Sequence, residues 1–178
     1  RILQMTRIRA GAVAPRLELV ELPDIINAAL RRLRRVLAKH RIDIRLPDDL
    51  PMLRLDLFLM EESIANLLEN AAKYAPPGTT VRVEAKVEDR TLMLDVVDEG
   101  AGIDAATLPR LFDPFFRGGA VDGKAPGTGL GLAIARAFVH ANDGTIESLP
   151  RGDRQRGALM RIRLPVPPQP HAELVRDE

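Results

Sequence analysis

Two periods organise the apolar positions of this chain. A three-to-four-residue period marks helices, and strict alternation marks strands. Ile2, Met5 and Ile8 fall three apart before Gly11, so residues 1–11 read as the end of an apolar-striped helix. Pro15 breaks the pattern, and LELVEL at 17–22 alternates like a strand. Pro23 and Asp24 open a helix striped by Ile25, Ile26, Ala29, Leu30, Leu33, Val36 and Leu37. Short strands are predicted at 42–46 and 52–56, then a long helix over 57–74 stopped by PPG at 76–78. Strands at 79–87 and 91–98 alternate cleanly around a hairpin turn at 88–90. Residues 99–128 are rich in Gly, Pro and Phe and poorly periodic, which marks a functional or mobile loop. A glycine-led helix follows over 129–141, then strands at 144–149 and 157–165. The tail from 166 to 178 is Pro-rich and charged, the composition of a disordered end. No internal repeat is visible. Few helices and about seven strands, clustered in hairpins, predict an α+β fold with a mixed sheet and helices on one face.

Composition narrows the function more by exclusion. The 178 residues suffice for one domain with a real core. There is no cysteine, which excludes a disulfide framework, a thiol nucleophile and Cys-ligated zinc. The net charge of +1 names no partner. Arg31, Arg32, Arg34 and Arg35 read as a solvated helix face rather than a nucleic-acid surface, and aromatics at 3% leave little for base stacking. No apolar run is long enough to span a membrane and no signal peptide opens the chain. The first residue is Arg rather than Met, which suggests a piece of a longer protein.

Candidate chemistry lies in four stretches. On the long helix, Glu62, Asn66, Asn70, Lys73 and Tyr74 share one face, and Ile64, Leu67, Leu68 and Ala71 share the face expected in the core. Asparagine is a mediocre helix former, so two at i, i+4 with a lysine one turn on suggest amide oxygens for Mg²⁺ and an ammonium for phosphate. DEGAGID at 98–104 places a carboxylate at a strand end, where it can accept a hydrogen bond from an exocyclic amine. Gly100 and Gly102 would let a flat ring approach, although an ordinary Asp-Gly turn looks the same. LFDPFFR at 111–117 holds three of the five phenylalanines, which would pin a loop to the core as a hinged lid, with Arg117 offered to phosphate. PGTGLGLAIARAFV at 126–139 runs three alternating glycines into a helix. That arrangement is either a tight turn before a closely packed helix or an anion cradle at a helix mouth. GGAVDGKA at 118–125 imitates a P-loop, but Ala125 replaces the Mg²⁺-binding hydroxyl and no strand precedes it, so Lys124 reads as a lid residue.

NLLENAAKY at 66–74, DEGAGI at 98–103, LFDPFFR at 111–117 and GTGLGL at 127–132 stand in the order and spacing of the N, G1, F and G2 boxes. Over roughly residues 16–165 the chain resembles the catalytic, ATP-binding domain of bacterial sensor histidine kinases. These have the Bergerat fold of the wider GHKL superfamily, a two-layer α/β sandwich with a mixed sheet on about three helices. NLLENAAKYAPPGT at 66–79 is most similar to potassium-responsive Kdp-type sensor kinases.

The resemblance implies ATP and Mg²⁺ as ligands. Asn70 would bind the metal, with Asn66 beside the phosphates and Lys73 on them. Tyr74 would pack by the nucleotide, and Asp98 would read the adenine amine with Gly100, Gly102 and Ile103 around it. Phe116 and Arg117 would close from the lid at 104–126, and Gly127, Thr128, Gly129, Leu130 and Gly131 would wrap the phosphates. Residues 1–15 become the end of a dimerisation and phosphoacceptor domain with its linker. The implied activity moves the γ-phosphate to a histidine of that upstream domain, and then to an aspartate of a response regulator. The implied setting is the cytoplasmic part of a membrane-associated homodimer, with no nucleic acid.

His40, His140 and His171 lack the acidic and Arg-x-Pro context of an acceptor histidine, so the acceptor is expected outside this chain. In gyrase-like hydrolases a Glu stands in the place of Asn66. Asn cannot act as a general base, which disfavours a hydrolytic ATPase, while Glu69 remains available to assist the acceptor. A serine kinase of the anti-sigma type shares the boxes, but not the helical remnant at 1–11. NDG at 142–144 stands where the family commonly shows His-Gly-Gly, and is expected to be a turn variant with little effect on chemistry. ALM at 158–160 lacks the hydroxyl that related ATPases often carry, so a polar contact is expected to be missing there.

Overall fold

The computed structural model describes residues 14–116 and 129–170. The helix end expected at 1–11 and the last part of the tail lie outside them. Strand β1 (Glu18–Val20) leads into helix α1 (Leu22–Arg32), which Pro23 starts from its first turn. The expected helix through Leu37 is shorter. It stops at Leu33, and a 3₁₀ turn at Val36–Lys39 carries Leu37 back to the core, so the apolar stripe outlasts the α-helix. Strands β2 (Arg41–Arg45) and β3 (Leu53–Leu55) precede the long helix α2 (Leu57–Tyr74). Asp56 caps α2, accepting the Leu59 N–H at 3.0 Å. Strands β4 (Thr80–Glu88) and β5 (Thr91–Val97) form the expected hairpin, whose two loop residues, Asp89 and Arg90, both have positive φ. Helix α3 (Gly131–Ala141) and strands β6 (Thr145–Leu149) and β7 (Leu159–Pro165) complete the described part.

Five strands form one sheet in the order β2-β4-β5-β7-β6. The β2–β4 pairing is parallel and the others antiparallel, so the expected mixed sheet is present. β1 and β3 instead pair with each other as a small separate ribbon. Alternation sends Val81, Val83, Leu92, Leu94, Val96, Ile162 and Leu164 toward the helices, where they bury against Ile26, Ile64, Leu67 and Leu68. The opposite face carries charge: Arg161 of β7 grips Asp95 of β5 through two bonds of 2.7 and 2.9 Å. Val166 and Gln169, in the stretch expected to be tail, are tied down. The Val166 N–H donates to the Arg90 carbonyl, and the Gln169 amide exchanges two bonds with the Met52 backbone.

The NDG turn has a structural role. Asn142 is buried, its Oδ1 accepts the Asp56 N–H at 2.7 Å, and its Nδ2 donates to the Phe138 carbonyl at 2.8 Å. One amide thus ties the end of α3 to the start of α2. Asn142→Ala is expected to lower unfolding free energy by about 1–3 kcal/mol, because the half-buried Asp56 N–H loses its acceptor and the Phe138 carbonyl its donor. Urea denaturation should show the midpoint falling with an unchanged slope.

Candidate functional site

Two segments flank the second half of α2. From the sheet comes the end of β5, where Asp98 follows the same alternation as Leu94 and Val96 and points to the helix side. From the other side comes the start of α3. A Cβ on Gly100 would lie 2.8 Å from the Tyr74 carbonyl, and one on Gly131 would lie 3.8 Å from Asn66 Oδ1. Both glycine boxes therefore flank the same helix, eight residues apart, or about 12 Å at 1.5 Å per residue.

Asp98 is buried yet well supplied with donors. Its Oδ1 accepts the Gly100 N–H at 2.8 Å and the Ala158 N–H at 3.2 Å. Both bonds fall on one oxygen, and Oδ2 receives none from the described residues. The contact from ALM to Asp98 is made by main chain, which needs no hydroxyl at 158. Burial raises the carboxyl above its ordinary value, opposed by those two N–H bonds and by the charges of Arg151 and His40.

Asn66 departs from the expected open face: it is 3% exposed, and its Nδ2 has no hydrogen-bond partner among the described residues. α3 packs over that side of α2, so the polar stripe is buried at Asn66 and opens toward Asn70, Lys73 and Tyr74. Glu62 is buried as well, held by Arg32 of α1 at 2.6 Å. Arg32 makes that pair while remaining exposed with Arg31, Arg34 and Arg35 on the expected solvated face. Asn70 and Glu69 are half-buried, and Lys73 is exposed with its ammonium 5.2 Å from the Tyr74 ring centre. Ile103 packs partly buried against the main core.

The phenylalanines split in role. Phe112 packs on the core, and Phe116 lies under the Arg110 guanidinium at 4.6 Å. Phe115 is 62% exposed with φ 66°, so it does not pin the loop through its ring. Its N–H instead donates to the Gly129 carbonyl at 3.0 Å, joining the F and G2 boxes by backbone. Gly129 needs its lack of a side chain: φ is +72° and a Cβ would lie 2.6 Å from the Phe115 backbone. Leu130 is buried with Leu59, Ile134 and Phe138 in a second small core. Arg117, Lys124, Gly127 and Thr128 lie outside the described residues. His40 is structural, with its Nε2 3.1 Å from the Ala72 carbonyl.

The family model described as histidine kinase-, DNA gyrase B- and HSP90-like ATPase matches residues 56–168, from the cap of α2 to just past β7. The chain belongs to that ATPase family. ATP binding is thereby part of its character. Within the family it is 37% identical over 172 residues to the sensor protein KdpD of Escherichia coli (strain K12), covering 97% of this chain and 19% of that protein. The KdpD of Clostridium acetobutylicum is 34% identical over 167 residues, covering 92% of this chain and 18% of that protein. The chain thus spans about a fifth of these relatives' length. Among solved structures, the mycobacterial sensor histidine kinase MprB superposes with a TM-score of 0.73 at 27% identity, covering 86% of this chain and 100% of that one. The histidine kinase AdeS of Acinetobacter baumannii gives 0.75 at 22% identity, covering 94% of this chain and 76% of that one, a likeness of fold. The resemblance drawn from the four boxes is borne out, Kdp-type likeness included. The serine-kinase and hydrolytic alternatives are not favoured.

Two features near Asp98 carried no sequence signal. Arg151, in the β6–β7 turn, donates to the Asp98 carbonyl at 2.9 Å. Gly157 has φ +145°, and a Cβ there would lie 1.9 Å from that same carbonyl. A cavity of 660 Å³ lies instead on the open sheet face, lined by Arg45, Arg82, Asp95 and Arg161 among others. Its acids are already held, Asp95 by Arg161 and Asp153 by Arg151, and the box residues are elsewhere.

A raised carboxyl means that ionising Asp98 costs folding stability. The favourable contribution is present below the ordinary value of 3.8 and is lost as pH rises through the folded value. Asp98→Asn keeps an acceptor oxygen for both N–H groups and never ionises. It is expected to melt above the parent at pH 7, with the difference closing as pH falls below the ordinary value. Thermal melts at neutral and acid pH check this; a lower melting point at pH 7 would mean that the donors outweigh burial.

Proposed function

We propose that this chain is the ATP–Mg²⁺-binding catalytic domain of a sensor histidine kinase, the domain that delivers a γ-phosphoryl group to a histidine on an upstream dimerisation domain. The carrying observation is the layout of polar groups along α2: among the described residues, a carboxylate oxygen without a donor lies at one end, and a buried amide N–H without an acceptor at the other. An adenine nucleotide fits both. Its exocyclic amine would meet Asp98 Oδ2, with Gly100, Gly102 and Ile103 beside the ring and Tyr74 at its edge. Its phosphates would lie toward Asn66, where Nδ2 has a donor to give and Gly131 leaves the wall open. Gly127, Thr128, Gly129 and Leu130 would bring backbone to the phosphates at the mouth of α3. Lys73, Phe116 and Arg117 would close over them, and residues 104–126 would act as the lid.

Mg²⁺, when bound, would neutralise phosphate charge. This chain's offer to it is the side-chain oxygen of Asn70. Phosphoryl transfer asks the protein mainly for positioning and charge balance. Asn66 supplies no base for water, so transfer to a presented nucleophile is favoured over hydrolysis. Glu69, half-buried beside Asn70, would help orient the acceptor. In this reading residues 1–15 belong to the preceding helical domain and linker, and 16–165 form the catalytic domain, to which Val166 and Gln169 are tied. The full-length protein would be a membrane-associated homodimer that passes the phosphoryl group to a response regulator, with this domain in the cytoplasm. Among the described residues no helix is long and apolar enough to cross a membrane.

Calorimetric titration with a non-hydrolysable ATP analogue is the test. The parent chain should bind in a Mg²⁺-dependent manner. Asp98→Asn should weaken binding by about a hundredfold, since an amide N–H would then face the amine. Asn70→Ala should remove most of the Mg²⁺ dependence. Mixed with a separate phosphoacceptor domain and ATP, the chain should label that domain and not itself. Self-labelling, or tight binding that Asp98→Asn leaves unchanged, would refute the reading.

A further inference from the structure

The β6–β7 turn belongs to none of the four boxes, yet it reaches the end of β5. Arg151 has a side chain only 5% exposed. Its Nη1 donates to the Asp98 carbonyl at 2.9 Å and to the Arg156 carbonyl at 3.3 Å. Its Nε and Nη2 hold the Asp153 carboxylate at 3.1 and 2.6 Å, and Nη2 also meets Gln155 Oε1 at 3.4 Å. One guanidinium thus gathers its own turn and fastens it to the strand that ends on Asp98. Gly157 lets the turn lie flat on that carbonyl. The next residue, Ala158, then delivers its N–H to Asp98 Oδ1.

We propose that Arg151 is a positioning residue for base recognition: it holds the Ala158 N–H on Asp98 Oδ1, and so keeps Oδ2 turned toward the exocyclic amine of adenine. The proposal rests on the reading of Asp98 as the base-reading carboxylate. The terminal torsion of an aspartate is broad and roughly two-fold. The Gly100 N–H, two residues away, moves with Asp98 and leaves that torsion loosely set. A second donor, 60 residues distant in sequence, fixes the carboxylate plane against a separate strand. Arg151 does not reach the nucleotide and acts through Asp98 alone. Lysine is a poor replacement, because a point charge lacks the planar fork that serves two carbonyls and a carboxylate together.

The measurement is selectivity rather than affinity. A non-hydrolysable ATP analogue is compared with the same analogue built on unsubstituted purine, which lacks the amine, by calorimetry on the intact chain. The parent should prefer the amine by at least about tenfold. Arg151→Met should bring that preference to within about threefold of unity, while affinity for the purine analogue changes by less than about threefold. Arg151→Lys should lie between, and it carries the test if melting shows Arg151→Met unfolded. Equal weakening of both ligands would make Arg151 merely structural and overturn the proposal, as would an unchanged preference. A parent chain without preference for the amine would overturn the base-reading role of Asp98, and this proposal with it.

Discussion

A buried carboxylate must find its hydrogen bonds in the protein before any ligand arrives. Asp98 meets that requirement with main-chain N–H groups from its own loop and from the start of β7. Much of the local architecture follows from this need. β7 must lie beside β5, as the antiparallel register places it, so that Ala158 arrives opposite Asp98. The turn before β7 must pass flat over the Asp98 carbonyl, which only a glycine at 157 allows. An arginine must be buried to hold that turn, and its charge is balanced locally by Asp153. A carboxylate at a strand end thus constrains a segment more than fifty residues away.

Helix α2 is the second organising element, because it serves two layers. Its apolar side completes the main core against the sheet. Its polar side is divided between neighbours: Glu62 is matched by Arg32 of α1, and Asn66 is covered from the side of α3. Beyond Asn66 the helix emerges from cover, and Asn70, Lys73 and Tyr74 remain accessible. The transition from buried amide to exposed lysine over two turns gives one helix both a dry end and a wet end.

The fold was legible where period and punctuation agreed. The hairpin at 88–90, the strands around it and the extent of α2 follow from alternation, helical spacing and Pro-Pro-Gly. The box residues were legible as a set because four motifs in order are specific. Burial of Asn66 was not, since helical periodicity shows which residues share a face and not which neighbour covers it. The early end of α1 was hidden because a 3₁₀ turn continues the same apolar stripe. Arg151 and Asn142 were illegible for a further reason. Their partners, Asp98 and Asp56, lie 53 and 86 residues away, and each contact is to backbone, which carries no side-chain signature.

The bond from Phe115 to Gly129 closes the chain on itself at one point. A segment closed at its base has an entropy of closure that grows only with the logarithm of its length, about 0.6 kcal/mol for each doubling. The cost of that closure therefore depends little on how many residues the segment holds, and the closure itself is made by main chain alone. Phe115 and Gly129 both sit at positive φ, so the bearing of the F box on the mouth of α3 is set by backbone conformation at two residues rather than by side-chain packing.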